Sequence, residues 1–434
     1  MTSPAAYFGL AVAGWISYQW YWFRENLKKV EHIPTVGSDS FIGAYFSAWK
    51  YILSGHKMVE EGYKKYPNGV FKVPSFESSS RWIIIASGPK LVDDIRKASD
   101  DHVASDLPTI DVRLPVCRNR DYLTTLEKFA ARLMISAYSV TLSPSPLRPL
   151  MGYLTSNVPA TEKKLKQHLG PIIEERLRQD AELGRDRPDK PNDMITWLLD
   201  LAPEELRTVD DVVTRLLISN FAAIHTTSNS LCDILFHLAA YPEYVEPLRA
   251  EIESVTREYG WTKEAMVRLH KLDSFMKETG RLAGVNVVAS QRKVRQAFTL
   301  SNGVTIPEGF TIGIASNSTH HDSSIYEDAD TFNGFRYVAE NSSDPDAKEP
   351  SAEQVKRQMV SLDTKYVLFG VGRHACPGRF FAVNEIKAMA AYVLLNYDLK
   401  LPGDDTTPPL GFFFGSSRSA PLSAHILFRK RAST

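Results

Sequence analysis

Phe369-Gly370-Val371-Gly372-Arg373-His374-Ala375-Cys376-Pro377-Gly378-Arg379-Phe380 is the stretch of this chain best suited to chemistry. A single cysteine stands in a glycine- and proline-bounded loop, just ahead of an apolar, alanine-rich helical pattern from Phe381 to Leu395. Unpaired N–H groups at a helix start and the neighbouring Arg373, His374 and Arg379 both favour a thiolate over a thiol at Cys376. Gly372 and Gly378 let the backbone approach something flat and bulky. A loop that offers a thiolate to a haem iron needs these features, and such a ligand donates electron density that favours O–O cleavage.

Upstream lie further groups that a haem protein could use. Glu278-Thr279-Gly280-Arg281 places a carboxylate and a guanidinium three residues apart, on one helix face. Phe332-Asn333-Gly334-Phe335-Arg336 offers a second arginine. Phe221-Ala222-Ala223-Ile224-His225-Thr226-Thr227-Ser228 places hydroxyls in the middle of an apolar helix. There Thr226 can bond the Ala222 carbonyl one turn back and bend the helix.

Together these segments resemble the cytochrome P450 monooxygenases. Phe369, Gly372, His374, Cys376 and Gly378 match the fixed positions of that family's haem loop. Alone, a loop cysteine reads as buried structure; five positions in register argue against that. The resemblance implies a mostly helical fold with a minor β portion, and haem b held through iron by the Cys376 thiolate. Phe369 and Gly370 are implied cofactor-binding positions of the loop, His374 matches a contact to the anionic propionates, and Arg292 stands where a second such contact is usual, with an exposed strand residue as the alternative reading. Glu278, Arg281 and Arg336 form a fixed charge network behind the loop. Thr226, with His225 beside it, handles protons. The usual pattern has an acid before this threonine and often a glycine three before it; here those places hold His225 and Ala223. Phe221, Val285, Val287, Val288, Phe413 and Phe414 match positions that often line the substrate cavity, with core packing as the alternative reading for each. The implied activity is an oxidoreductase reaction on a hydrophobic small molecule, and the setting is fungal secondary metabolism of the ent-kaurene oxidase type. Electrons would come from an NADPH-dependent reductase, docking on a face that includes Arg373, Arg379 and Lys387.

The chain as a whole has 434 residues, 43% of them hydrophobic and 24% charged, which are globular values. Zero formal net charge gives no support to a nucleic-acid partner. Cys117, Cys232 and Cys376 lie far apart and form neither a zinc pattern nor a disulfide framework. Tyr7 to Phe23 is apolar and aromatic and is followed by Arg24, Lys28 and Lys29. At the short edge of a spanning length, it reads as a single-pass anchor over residues 1–29 in the endoplasmic reticulum membrane, with a cytosolic catalytic domain over 30–434.

Periodicity predicts a helix over Tyr51–Tyr66, strands over Gly69–Val73 and Trp82–Ala86, and a helix over Leu91–Ala98. Asp180–Asp193 reads as a surface loop and Val209–Ala240 as a long buried helix. Leu272–Ala283 reads as a helix, followed by extended segments over Val285–Val288 and Arg292–Leu300, and the tail Leu410–Leu427 is strand-like. One departure stands out: the family has several helices where residues 105–114 run almost directly on. The domain is therefore expected to be internally shortened there. Two other readings stay open, a truncated non-catalytic paralogue and a haem-thiolate isomerase or dehydratase.

Overall fold

The computed structural model describes residues 4–97, 103–104, 119–186, 190–338, 352–403 and 405–431. Both Cys117 and the shortening expected near 105–114 lie outside these residues. The chain divides into two compact units, one of 1–106, 229–376 and 383–434, the other of 107–228 and 377–382. The long helix Val209–Ala240 contributes to both.

The first unit opens with helices α1 (Pro4–Lys29), α2 (Phe41–Lys65) and α3 (Pro89–Lys97), with strands β1 (Val70–Pro74), β2 (Trp82–Ala86) and β3 (Val103–Ala104). The second unit is built on α4 (Arg120–Leu142), α5 (Arg148–Thr155), α6 (Val158–Leu183), α7 (Met194–Leu201) and the first part of α8 (Val209–Ala240). The chain then returns to the first unit with α9 (Val245–Tyr259), α10 (Lys263–Arg268) and α11 (His270–Leu282). Strands β4 (Val288–Val294), β5 (Phe298–Thr299), β6 (Thr305–Ile306) and β7 (Thr311–Ala315) follow, then α12 (Ser316–His320) and α13 (Ala352–Arg357). Last come α14 (Arg379–Asn396), β8 (Tyr397–Lys400), β9 (Phe412–Phe414), β10 (Ser417–Ser419) and β11 (Leu427–Lys430).

Helices dominate and the sheet is small, as expected. Its five strands run in the order β1-β2-β7-β4-β3, with β2 and β7 parallel and the other pairs antiparallel. Strands β1 and β2 are buried at every position. Trp82, Ile84, Ile312 and Ile314 join Val367 and Val371 in one core, which ties the strands to the start of the cysteine loop. Tyr122, Phe129, Leu165, Ile195 and Val213 belong to the separate core of the second unit.

Three readings change. Helix α2 begins at Phe41 rather than Tyr51, because Ser40 caps it by accepting a hydrogen bond from the Gly43 N–H at 3.1 Å; it kinks at Ser54 (φ −150°, ψ 42°). The Asp180–Asp193 segment is no simple surface loop: α6 runs to Leu183, and both aspartates are buried in ion pairs, Asp180 with Arg207 and Asp193 with Arg176. Helix α8 runs uninterrupted over the expected residues but is not buried throughout. Val212, Val213, Leu216 and Leu238 are buried, whereas Ile224, Thr226 and Ser228 are exposed.

A helix does form over the expected anchor. Among the described residues, however, no helix is long and apolar enough to cross a membrane. Gln19 and Phe23 are buried, and Phe23 packs against Phe41 and Trp82 at ring separations of 5.5 and 5.8 Å. The end of α1 is therefore bound into the globular core ahead of residue 29.

Two buried histidines make the fold acid-sensitive. His320 is fully buried, accepts the Val367 N–H at its Nε2 (3.0 Å) and faces the Arg281 charge; burial above all lowers its pKa to about 3. Burial likewise brings His237 down to about 4. The unfolded chain binds protons on both from about pH 6.5, the folded chain only near pH 4 and below. Stability is therefore lost as pH falls through this window. His320→Asn, which keeps an acceptor, is expected to flatten the fall in apparent melting temperature between pH 6.5 and 4; an unchanged slope would contradict the assignment.

Candidate functional site

The cysteine loop is shaped by backbone conformations that favour glycine. Gly370 and Gly372 have φ of +74° and +70°. A Cβ at Gly372 would lie 2.5 Å from the Arg96 carbonyl oxygen, and one at Gly370 would lie 2.8 Å from the Ser290 hydroxyl. A short 3-10 turn, Gly372–His374, follows. Cys376 N–H donates back across the loop to the Phe369 carbonyl at 2.7 Å. Val371 and Ala375 are buried, and Cys376 itself is exposed. The loop thus holds its cysteine out from a fixed frame.

Strand β4 supplies the neighbouring cation. Its pairing with β7 slips between Ala289 and Arg292, where Ser290 takes φ +50°. A bulge of this kind re-aims the side chains after it. The Ser290 hydroxyl accepts the Val371 N–H at 3.2 Å, and Arg292 donates to the carbonyls of His374 (3.1 Å) and Gln291 (2.9 Å). Arg292 is 7% exposed and, among the described residues, pairs with no carboxylate. Burial holds its guanidinium below the usual arginine range. A buried cation bonded only to carbonyls beside an exposed cysteine suits an anionic, metal-bearing group. Among the predicted cofactor contacts, Cys376, His374, Arg292, Phe369 and Gly370 therefore come together. Sequence reasoning missed Ser290, whose link to the loop depends on a bulge that no local pattern announces.

Behind the loop, the predicted charge network is formed. Glu278 and Arg281 are fully buried and joined by two hydrogen bonds of 2.8 Å. Arg336 Nε reaches the same carboxylate at 3.0 Å, and the Asn333 N–H at 3.1 Å. Arg281 also donates to the Ala329 carbonyl at 2.6 Å.

The cytochrome P450 family model matches residues 110–423, well over half of the chain. The chain belongs to the cytochrome P450 family. It is 33% identical to Cytochrome P450 monooxygenase 71 of Postia placenta, over 95% of this chain and 96% of that protein. It is 28% identical to Cytochrome P450 monooxygenase CYP512U6 of Ganoderma lucidum, over 95% and 94% of the two chains. To Ent-kaurene oxidase P450-4 of Gibberella fujikuroi the identity is 32%, over 77% of this chain and 67% of that protein. The protein is thus a fungal-type P450 monooxygenase, and its cofactor is a haem with a thiolate-ligated iron.

The other predicted P450 positions lie in different surroundings. Thr226 and His225 belong to the part of α8 in the second unit. The Thr226 hydroxyl bonds the Ala222 carbonyl at 2.8 Å, as expected, and the helix continues through it. Phe221 meets Phe129 edge-to-face at 6.4 Å within that unit's core. Val287, Val288 and Phe413 share a core in the first unit, with Phe413 stacked on His56 at 4.0 Å. Val285 is half-buried, and its carbonyl accepts the Arg418 N–H at 2.8 Å. Phe414 is also half-buried. One expectation is corrected: Lys387 is no surface cation. It is buried, pairs with Asp273 at 2.7 Å and donates to the Met266 carbonyl, because α14 turns this residue inward. Arg373 is exposed, and Arg379 lies 4.3 Å from the centre of the Phe380 ring.

Proposed function

We propose that Cys376 is the axial iron ligand of a monooxygenase acting on a hydrophobic small molecule of terpenoid type. The observation that carries this reading is the exposed Cys376 on its glycine-shaped loop beside the buried, carboxylate-free Arg292. His374 and Arg292 serve the propionates, and Glu278, Arg281 and Arg336 fix the scaffold behind them. The terpenoid class draws support from the relative named as an ent-kaurene oxidase. Residues 30–434 form the catalytic domain, and an NADPH-dependent P450 reductase supplies electrons through a face that includes the exposed Arg373. The protein works at the endoplasmic reticulum membrane from the cytosolic side.

Haem bound at this loop supplies the activation of dioxygen. The chain's own task is then to exclude water, hold the substrate and deliver protons. Thr226 is the proposed proton donor, with His225 able to relay near neutral pH. Thr226→Ala is expected to retain haem yet uncouple consumption of reducing equivalents from product, with peroxide release rising severalfold. If coupling survives in Thr226→Ala and collapses in His225→Ala, the role passes to the histidine. If neither change matters, proton delivery does not use this helix.

One observation favours a second reading. The alignment with the Postia protein extends over 492 positions, more than the 434 residues of this chain, so that relative carries residues with no counterpart here. A chain shortened after residue 105 and acting without catalysis would lack a thiolate-type spectrum in the reduced carbon-monoxide complex. Labelled dioxygen separates a monooxygenase, which places the label in product, from an isomerase or dehydratase, which does not.

A further inference from the structure

Arg418 and Asp233 form a buried ion pair that neither the cysteine loop, nor the charge network behind it, nor the proposed proton path uses. They are 7% and 3% exposed. The contact is two-pronged: Arg418 Nη1 donates to one carboxylate oxygen at 2.7 Å and Nη2 to the other at 3.0 Å. An apolar pair of similar volume would stabilise a core about as well, because both charges must first be stripped of water. What the fork adds is direction, since a planar guanidinium fixes the bearing of every acceptor around it. Room for it is built into the chain. A Cβ at Gly411 would lie 2.5 Å from both Cζ and Nε of Arg418.

The acceptors lie on separate stretches of the first unit. Nη1 also donates to the Ala283 carbonyl at 2.9 Å. The Arg418 N–H donates to the Val285 carbonyl at 2.8 Å, and the Ser416 carbonyl accepts the Val287 N–H at 2.8 Å. Between them, Asn286 and Ser417 make an antiparallel bridge. On its other edge β10 pairs with β9, where Arg418 stands opposite Phe413. Asp233 belongs to α8, and one turn earlier Asn229 Oδ1 accepts the Ala420 N–H at 3.2 Å. Arg418 therefore joins residues 283–287, the β9–β10 hairpin and the later part of α8. The first two carry Val285, Val287, Phe413 and Phe414, which match positions that often line the substrate cavity. The tip of the hairpin is held separately: the Gly415 N–H donates to the Ile52 carbonyl at 2.8 Å, and the Ser416 N–H to the Glu77 carboxylate at 3.1 Å. With its tip fixed, the remaining freedom of the hairpin is its angle to α8, and Arg418 removes it.

We infer that Arg418, oriented by Asp233, is a positioning residue for the reaction, fixing the Phe413 hairpin against the Val285 segment so that a bulky substrate is held in one pose. This rests on the proposed monooxygenase reading. The test uses the haem-loaded full chain and two nitrogen ligands followed by their visible spectra. Imidazole reports access to the iron alone; clotrimazole carries a triaryl body on the same ring and also reports the cavity wall. An Asp233→Val/Arg418→Met double variant replaces the pair by apolar side chains of similar volume. It is expected to melt near the parent, keep the thiolate-type carbon-monoxide spectrum and bind imidazole unchanged, yet bind clotrimazole severalfold more weakly. Arg418→Lys, which keeps the charge and loses the fork, is expected to separate the two ligands in the same direction, and it decides the matter if the double variant does not fold. Parent-like clotrimazole binding in the folded variants would overturn the inference. So would an equal loss for both ligands together with a lower melting temperature, which would make the pair a contributor to stability alone. A parent chain without the thiolate-type spectrum would sink the monooxygenase reading and this inference with it; a normal spectrum with no separation of the ligands sinks this inference only.

Discussion

Cys376→Ser is expected to abolish the thiolate-type reduced carbon-monoxide spectrum, while Cys232→Ser and Cys117→Ser preserve it. The loop positions Cys376 outward through two glycines in left-handed conformations and through the Cys376–Phe369 backbone hydrogen bond. Cys232 is exposed on α8 like Cys376, but partial desolvation and the adjacent Asp233 carboxylate raise the pKa of its thiol and oppose thiolate formation. Serine preserves the loop's geometry but is a poor ligand for this iron at neutral pH, so the effect is a loss of signal rather than a shift in affinity. An unchanged spectrum in Cys376→Ser would remove the ligand assignment and every role built on it. Arg292→Ala provides a milder counterpart: the thiolate signature remains while haem dissociates severalfold faster.

What was legible in the sequence was local. The glycine-rich loop carries its geometry in its residue types. Residues 209–240 announce α8 by periodicity, and the Trp82–Ala86 strand by its apolar, β-branched run. Glu278 and Arg281 were readable because a spacing of three fixes them on one helix face. What escaped was long-range. Lys387 looked like a surface cation because nothing nearby in sequence reveals Asp273 on another helix. The buried Arg418–Asp233 pair, at 2.7 and 3.0 Å, joins residues far apart in the chain and was equally hidden. Helix α2 was cut short because its first half is apolar on the outside as well as the inside, so amphipathic periodicity is clear only after the kink. Burial of single side chains was the least legible property: Val288 and Phe413 were evenly balanced between cavity and core on sequence grounds, and Val288 is buried while Phe413 packs half-buried against the same cluster.

Arg281→Ala is expected to be the most damaging substitution away from the iron loop. Glu278 is fully buried, and its carboxylate accepts two bonds from Arg281, one from Arg336 and one from the Asn333 N–H. Removing Arg281 leaves a buried anion with a single, partly exposed cation and strips a donor from the Ala329 carbonyl. Breaking a buried pair on one side typically costs about 3–5 kcal/mol, because the remaining charge stays desolvated. Arg281→Lys keeps the charge but not the planar fork, so an intermediate loss is expected. Apparent melting temperature and haem stoichiometry of the purified variants would check this order. Because the network joins α11 to the segment around Asn333 and Arg336, its loss should loosen the scaffold behind the cysteine loop without touching proton delivery. The fraction of Arg281→Lys that retains haem is therefore expected to couple electrons to product as the parent does. A stable, fully haem-loaded Arg281→Lys with collapsed coupling would instead place Arg281 in the chemistry, and an Arg281→Ala protein melting with the parent would show that the buried network does not hold the fold.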